Sequence, residues 1–155
     1  MMSGTMLLLG EAGCDLRYMN VASGSCGTTT LAVDEIVPLR AAESRAAAEV
    51  LGADLYPCLV DDMEVLYTVD LLRRVTAVVR RVQPGIILTQ SPQDYMEDHT
   101  NTSRLAVSAA FARGMTNFAS IPEVPAILNE VAIYHALPYG LCDQVRNPHN
   151  ASYIC

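Results

Sequence analysis

Apolar residues recur at helical spacing in three stretches of the chain. They repeat every three or four positions across residues 65–82, which predicts an amphipathic helix that a Pro-Gly pair terminates. An alanine-rich stretch with charges at helical spacing covers residues 37–52, and Gly52 stands where a C-terminal capping glycine is expected. A further helix is predicted over residues 102–115.

Short apolar runs fall between these helices and predict strands at residues 16–22, 54–60, 86–90 and 130–138. Strands that alternate with helices are typical of a parallel sheet with helices on both faces. We therefore predict an α/β fold, a Rossmann-like three-layer domain with a mainly parallel sheet, formed as a single domain by residues 1–155.

Two loops follow predicted strands and would lie at the carboxyl ends of the sheet, where open parallel sheets bind ligands. The loop "SGSCGTTT" fits neither GxGxxG nor the P-loop pattern, so a plain turn is the simpler interpretation. The loop "SPQDYMEDH" ends on His99, which could be a helix cap, a surface residue or a metal ligand. The neighbouring Asp98 favours a ligand, because carboxylates orient ligand imidazoles.

Composition excludes several classes of protein. Half of the 155 residues are hydrophobic, which excludes a disordered chain, and the net charge of −7 argues against a nucleic-acid partner. The arginine pairs at 73–74 and 80–81 are interpreted as solvated helix faces.

Five cysteines, Cys14, Cys26, Cys58, Cys142 and Cys155, form no CxxC pair and predict reduced thiols in a cytoplasmic protein. The apolar run "MLLLG" is too short for a signal peptide or a membrane span, so no membrane partner is expected.

The order of these motifs resembles the LmbE-like, or PIG-L-type, zinc-dependent de-N-acetylases. The segment "LRAAESRAAAEVLGAD" is similar to the family's Arg-x-x-Glu helix through Arg40 and Glu43. "LVDDMEV" is similar to its Pro-Asp-Gly loop and places Asp62 at the family's acid. "DYMEDH" is similar to its Asp-Tyr-His-Pro-Asp-His signature and places a metal ligand at His99.

The resemblance implies a site that binds Zn²⁺, or another divalent metal, through His99, with Asp98 as the catalytic carboxylate beside it. It also implies a set of residues that contact the substrate: Ser23, Gly24, Arg40 and Asp62. His135, in the late predicted strand, is a further candidate for lining the substrate pocket. Two of these have an alternative explanation within the fold. Arg40 and Glu43 could form an ordinary ion pair along a helix, and Asp62 could be a turn residue.

The chain departs from the family pattern at its first motif. His-Pro-Asp-Asp, which gives the family two ligands and its general base, does not occur in the sequence. Met96 and Glu97 replace the His-Pro of the second signature, which removes an oxyanion-stabilising imidazole. A strand is also expected to be cut short at residues 153–155. We therefore expect a domain incomplete at both ends, either a fragment or a degenerate member, with an incomplete metal site.

The resemblance implies a zinc-dependent hydrolase that removes an acetyl group from an N-acetylated amino sugar or glycoside of the N-acetylglucosaminyl type. The alternative is a non-catalytic relative that binds a sugar or a protein. The expected partner is thus a small N-acetyl sugar. A homo-oligomer is a further possibility, because a missing strand would expose a sheet edge.

Overall fold

The computed structural model describes residues 2–143 and 145–148, and the strand predicted at residues 153–155 lies outside them. The described elements alternate between helix and strand, as predicted. In chain order they are α1 (Ser3–Glu11), β1 (Arg17–Met19), α2 (Val33–Leu51), β2 (Asp54–Tyr56), α3 (Val69–Val82), β3 (Ile86–Thr89), α4 (Glu97–Ala112), β4 (Ala132–His135) and a short 3₁₀ turn (Tyr139–Leu141).

The strands pair in parallel, which confirms the predicted fold class. β1 pairs with β2, with Arg17 opposite Asp54. β3 pairs with β4, with Thr89 opposite His135. Within the described part of the chain these are two separate two-stranded sheets, which agrees with the expectation of an incomplete sheet.

The chain divides into two compact units. The first ends at Val65 and contains the β1–β2 pair, and the second begins at Leu66 and contains the β3–β4 pair. The interpretation of residues 1–155 as one domain stays a prediction.

Helix boundaries differ from the predicted ones where side chains cap the backbone. α2 begins four residues before position 37, and its first turn is closed by Glu35, which accepts a hydrogen bond from the N–H of Ala32 at 3.0 Å. α3 begins later than predicted because the Thr68 side chain caps it, accepting from the N–H of Leu71 at 3.2 Å. Gly52 ends α2 in the left-handed conformation, as predicted.

α4 begins at Glu97, five residues before the predicted start at position 102. His99, which was expected at the very start of this helix, therefore lies inside the first turn of α4. Glu97 and Asp98 share this turn, where acidic side chains interact favourably with the helix dipole.

The interpretation of the second arginine pair as a solvated face is wrong for Arg80. Its side chain is buried, with a relative exposure of 3% for the residue, whereas Arg81 is exposed. The Arg80 guanidinium donates hydrogen bonds of 2.7–3.1 Å to four backbone carbonyls. These carbonyls belong to Ala112, Arg113, Met115 and Val124. The charge is buried because α3 packs against α4 and the carbonyls at the end of α4 need donors.

The α3–α4 interface forms the core of the second unit around Leu71, Val75 and Leu105. A mostly apolar cavity of about 530 Å³ opens on the same two helices. It is lined by Tyr67, Leu72, Val107, Ser108, Phe111, Ala112, Met115 and Phe118.

Four described cysteines, Cys14, Cys26, Cys58 and Cys142, are free thiols, and Cys155 lies outside the described residues. Among the helices that the structure describes, none is both long and apolar enough to cross a membrane.

Candidate functional site

Asp62, in the segment after β2, forms hydrogen bonds with the loop that begins at Ser23. The two oxygens of the Asp62 carboxylate accept hydrogen bonds from the N–H groups of Gly24 and Cys26, each at 2.9 Å. The backbone N–H of Asp62 donates in return to Ser25 Oγ at 3.1 Å. Asp62 therefore organises the backbone of this loop, as a turn acid would.

Arg40 packs against the same loop at Gly24. Gly24 has a φ of +82°, and a Cβ placed on it would lie 2.7 Å from Cγ of Arg40. The guanidinium of Arg40 pairs with Glu43 one turn along α2, and Ser23 donates to Asp61. The structure thus brings Ser23, Gly24, Arg40 and Asp62 together within the first unit. Their contact with a substrate stays a prediction.

Of the histidines that the structure describes, the second unit carries His135 at the carboxyl end of β4 and His99 in the first turn of α4, which follows β3. Between β3 and α4 lies Asp94, whose side chain is completely buried. Its Oδ1 accepts a hydrogen bond from the N–H of Met96 at 3.1 Å, and the same oxygen lies 3.3 Å from Nδ1 of His99. Asp94 therefore shapes the turn before α4 and faces the imidazole that α4 presents.

This contact favours one tautomer of the His99 ring, and with it the ring nitrogen that keeps a lone pair. Nδ1 lies beside the Asp94 carboxylate without forming an aligned hydrogen bond, and the negative charge of the carboxylate favours hydrogen on Nδ1. Nε2, on the far side of the ring, then holds the lone pair in the neutral imidazole. Because the His99 side chain is 31% exposed, that nitrogen is suited to bind a metal or to accept a proton.

His135 is held in a similar way at the end of β4. Its Nδ1 lies 2.9 Å from the carbonyl oxygen of Gln90 and 3.2 Å from Oγ of Ser103. A carbonyl can only accept a hydrogen bond, so Nδ1 carries the hydrogen and Nε2 is left as the acceptor. Ser103 follows His99 by four residues on α4, so both residues lie on one face of that helix.

Asp98 lies buried in the first turn of α4, directly before His99. Its assignment as the catalytic carboxylate stays a prediction. Met96 occupies the N-cap position of α4, and its thioether offers none of the hydrogen bonds that an imidazole would supply.

The described residues fit part of a metal centre. Within residues 2–143 and 145–148 no three His, Cys, Asp or Glu side chains are grouped to share a metal ion. His99, with the buried Asp94 behind it, has the arrangement of one ligand imidazole and its orienting carboxylate. No complete ligand set is formed by the described residues.

Sequence reasoning missed Asp94, Gln90 and Ser103, which hold the two imidazoles. Asp98 adjoins His99 in the sequence, but the carboxylate that faces the His99 ring belongs to Asp94, five residues before His99. One sequence signal could have indicated Asp94. An aspartate two residues before the N-cap of a helix commonly closes a turn through its side chain.

An exposed tyrosine, Tyr95, contacts the His99 ring and is itself in contact with a second exposed tyrosine, Tyr139. The Tyr95 ring lies 6.5 Å from the His99 ring, centroid to centroid, and 6.1 Å from the ring of Tyr139. Both contacts are edge-to-face.

These features define an α/β fold in which two imidazoles and the buried carboxylate of Asp94 lie at or shortly after the carboxyl ends of parallel strands. Comparison with known families then gives a more specific assignment. Residues 1–110 match the family model described as PIG-L: GlcNAc-PI de-N-acetylase. The chain belongs to this PIG-L (LmbE-like) family.

A curated relative agrees with this family. The chain is 32% identical over 123 residues to a diacetylchitobiose deacetylase of Thermococcus kodakarensis. The match covers 76% of this chain and 46% of the relative, so the chain spans about half the length of the curated relative it matches.

Solved structures show the same fold. N,N'-diacetylchitobiose deacetylase from Pyrococcus horikoshii, in complex with its inhibitor MPG, matches with a TM-score of 0.76 and 26% identity, covering 85% of this chain and 53% of that one. GalB, the 4-carboxy-2-hydroxymuconate hydratase from Pseudomonas putida, matches with a TM-score of 0.75 and 26% identity, covering 86% and 57%. The conserved protein TT1542 from Thermus thermophilus matches with a TM-score of 0.67 at 22% identity, which supports the fold alone, and covers 87% and 59%.

Proposed function

We propose that this chain belongs to a hydrolase that removes the acetyl group from an N-acetylated amino sugar or its glycoside. The observation that carries the proposal is the buried Asp94 facing His99 directly after β3. Both residues fall in the segment that is similar to the family's second signature. The family match and the curated deacetylase relative support the same reaction.

The residues of this chain would act by orienting the His99 imidazole and by holding a metal ion. Asp94 keeps the His99 ring in place and leaves Nε2 available, as a carboxylate does behind a metal-bound histidine. We propose His99 as a ligand of Zn²⁺, although another divalent metal could take its place. A cation held there would supply Lewis acidity at the acetyl carbonyl.

Protons and substrate hydroxyls would be handled by other side chains. Asp98 is proposed as the carboxylate that exchanges a proton during the reaction. Nε2 of His135 is proposed to contact the substrate, because Gln90 and Ser103 already hold the other side of its ring. Ser23, Gly24, Arg40 and Asp62 are proposed as substrate contacts on the resemblance alone.

The proposal is tested by amine release from N-acetylglucosamine and N,N'-diacetylchitobiose, with Zn²⁺ supplied. The wild-type chain is compared with Asp94→Asn and His99→Ala, and Asp70→Asn is the matched control. Asp70 is an exposed carboxylate in the first turn of α3 in the same unit. We expect Asp94→Asn to lower the rate roughly 10- to 100-fold, because losing an orienting partner has that effect at metal sites. Amine release that is unchanged in both site variants would contradict the assigned site.

A non-catalytic relative is the second candidate, and Met96 is the observation that favours it. An oxyanion-stabilising donor contributes roughly 10²–10³ in rate, and Met96 lacks one. Sugar binding with no amine release, unchanged by Met96→His, would support this candidate. Reading the genomic sequence in frame upstream of Met1 is an inexpensive discriminator, because a His-Pro-Asp-Asp motif there would favour the enzyme.

A further inference from the structure

Tyr95 and Tyr139 form an exposed aromatic pair beside His99. Their rings meet edge-to-face with centroids 6.1 Å apart at an interplanar angle of 64°. Tyr95 also meets the His99 ring at 6.5 Å and 71°. The pair joins the loop before α4 to the 3₁₀ turn Tyr139–Leu141, two segments far apart in sequence.

Neither ring belongs to the core of the unit. Tyr95 is 71% exposed and Tyr139 is 74% exposed. Large aromatic side chains that remain open to solvent while held by each other offer apolar ring faces and phenolic hydroxyls together. Next to a candidate active-site histidine, such a surface is suited to contact a ligand.

The charge of the neighbouring loop restricts the ligand. Residues 91–103 contain no Lys or Arg and three acids, of which Glu97 is exposed and Asp94 and Asp98 are buried. An anionic ligand would find no cationic partner in this segment, whereas a neutral sugar or the amine that deacetylation leaves needs none. A polycarboxylate of the kind named for the hydratase neighbour is therefore disfavoured at this surface.

We propose that Tyr95 and Tyr139 form a stacking platform for a pyranose ring of the substrate, which sets specificity for a sugar next to the reacting centre. The inference rests on the proposed function and names two residues that determine its substrate. A pyranose has an apolar face of C–H groups and a rim of hydroxyls. These complement a tyrosine ring face and its phenol.

The test is the affinity of the chain for N,N'-diacetylchitobiose, measured by NMR titration of wild type, Tyr139→Ala and Tyr139→Phe. Tyr134→Ala is the matched control. Tyr134 is 48% exposed in β4 of the same unit, and it precedes His135, so its side chain leaves the opposite face of the strand. Tyr139→Ala is expected to weaken binding about three- to tenfold, the range of aromatic contacts. Tyr139→Phe keeps most of the affinity, and Tyr134→Ala leaves it unchanged.

The possible outcomes test the sugar-stacking role of the two tyrosines separately from the proposed deacetylation. Amine release by wild type combined with unchanged affinity in Tyr139→Ala would overturn the platform and leave the proposed function standing. Sugar binding that depends on Tyr139, without amine release under any condition, would support the platform and overturn the reaction. A dicarboxylate such as cis,cis-muconate that binds as tightly as the sugar would overturn the assigned ligand class.

Discussion

At the scale of single residues, the φ of +82° at Gly24 and its approach to Arg40 make this position intolerant of a side chain. We expect Gly24→Ala to lower the free energy of unfolding by roughly 2–4 kcal/mol, from left-handed strain of about 1–2 kcal/mol plus overpacking. Gly13→Ala is the matched control, because Gly13 has a φ of +88° with nothing within 4 Å of its added Cβ. Urea denaturation of both variants measures the difference.

The variant Arg40→Ala distinguishes the two causes of the cost of Gly24→Ala, which are backbone strain at positive φ and the steric clash with the Arg40 side chain. In that background the cost of Gly24→Ala should fall toward the cost of Gly13→Ala, since Cγ and Cδ of Arg40 are gone and only the Cβ of residue 40, at 3.1 Å, remains close. Equal costs for Gly24→Ala with and without Arg40 would show that the close approach has no energetic role.

His99 gives a second prediction at this scale. A catalytic zinc uses three protein ligands, and the family's first ligand motif does not occur in this sequence. We expect the 155-residue chain to bind Zn²⁺ no tighter than micromolar, measured by isothermal titration, with a further loss in His99→Ala. A sub-micromolar one-to-one site that His99→Ala abolishes would contradict this expectation.

At the scale of elements, α3 and α4 are joined by a charged side chain. Arg80 satisfies four carbonyls at and beyond the end of α4. We expect Arg80→Met to cost roughly 3 kcal/mol of stability, because the carbonyls lose donors that water replaces only in part. Arg81→Met, at the exposed neighbouring position, should change stability by less than about 0.5 kcal/mol. Thermal melts of the two variants that coincide would argue against this role of Arg80.

The sequence predicts elements better than it predicts the site within them. Gly52 ends α2 as predicted because a capping glycine is a local signal. The start of α4 was missed because Asp94 closes the preceding turn through its side chain. Arg80 and Arg81 look alike in sequence, and only the packing of α4 decides which of them is buried. The oxygens that hold His135 come from Gln90 and Ser103, which are distant in the chain. No local pattern reveals such a contact.

At the scale of the whole molecule, two effects oppose each other. Among the residues that the structure describes, each strand of the two sheets pairs on one side only, and such edges favour association, whereas the net charge of −7 opposes it. We expect sedimentation velocity to show concentration-dependent association that strengthens from about 0.01 M to 1 M ionic strength, as repulsion is screened. The proposed homo-oligomer would then form by edge pairing. A monodisperse monomer at both salt concentrations, with one cooperative melting transition, would count against it.

The apolar cavity on α3 and α4 has a practical consequence for unfolding experiments that use a fluorescent dye. Arg104 stacks on Tyr67 at 4.7 Å and Arg73 lies 5.9 Å from the Phe118 ring, so two cations lie against aromatic residues that line the cavity. An anionic, aromatic dye such as anilinonaphthalene sulfonate matches both the apolar lining and these charges. The folded chain should therefore enhance the fluorescence of the dye. An increase in fluorescence would then indicate dye bound in this cavity rather than the loss of native structure.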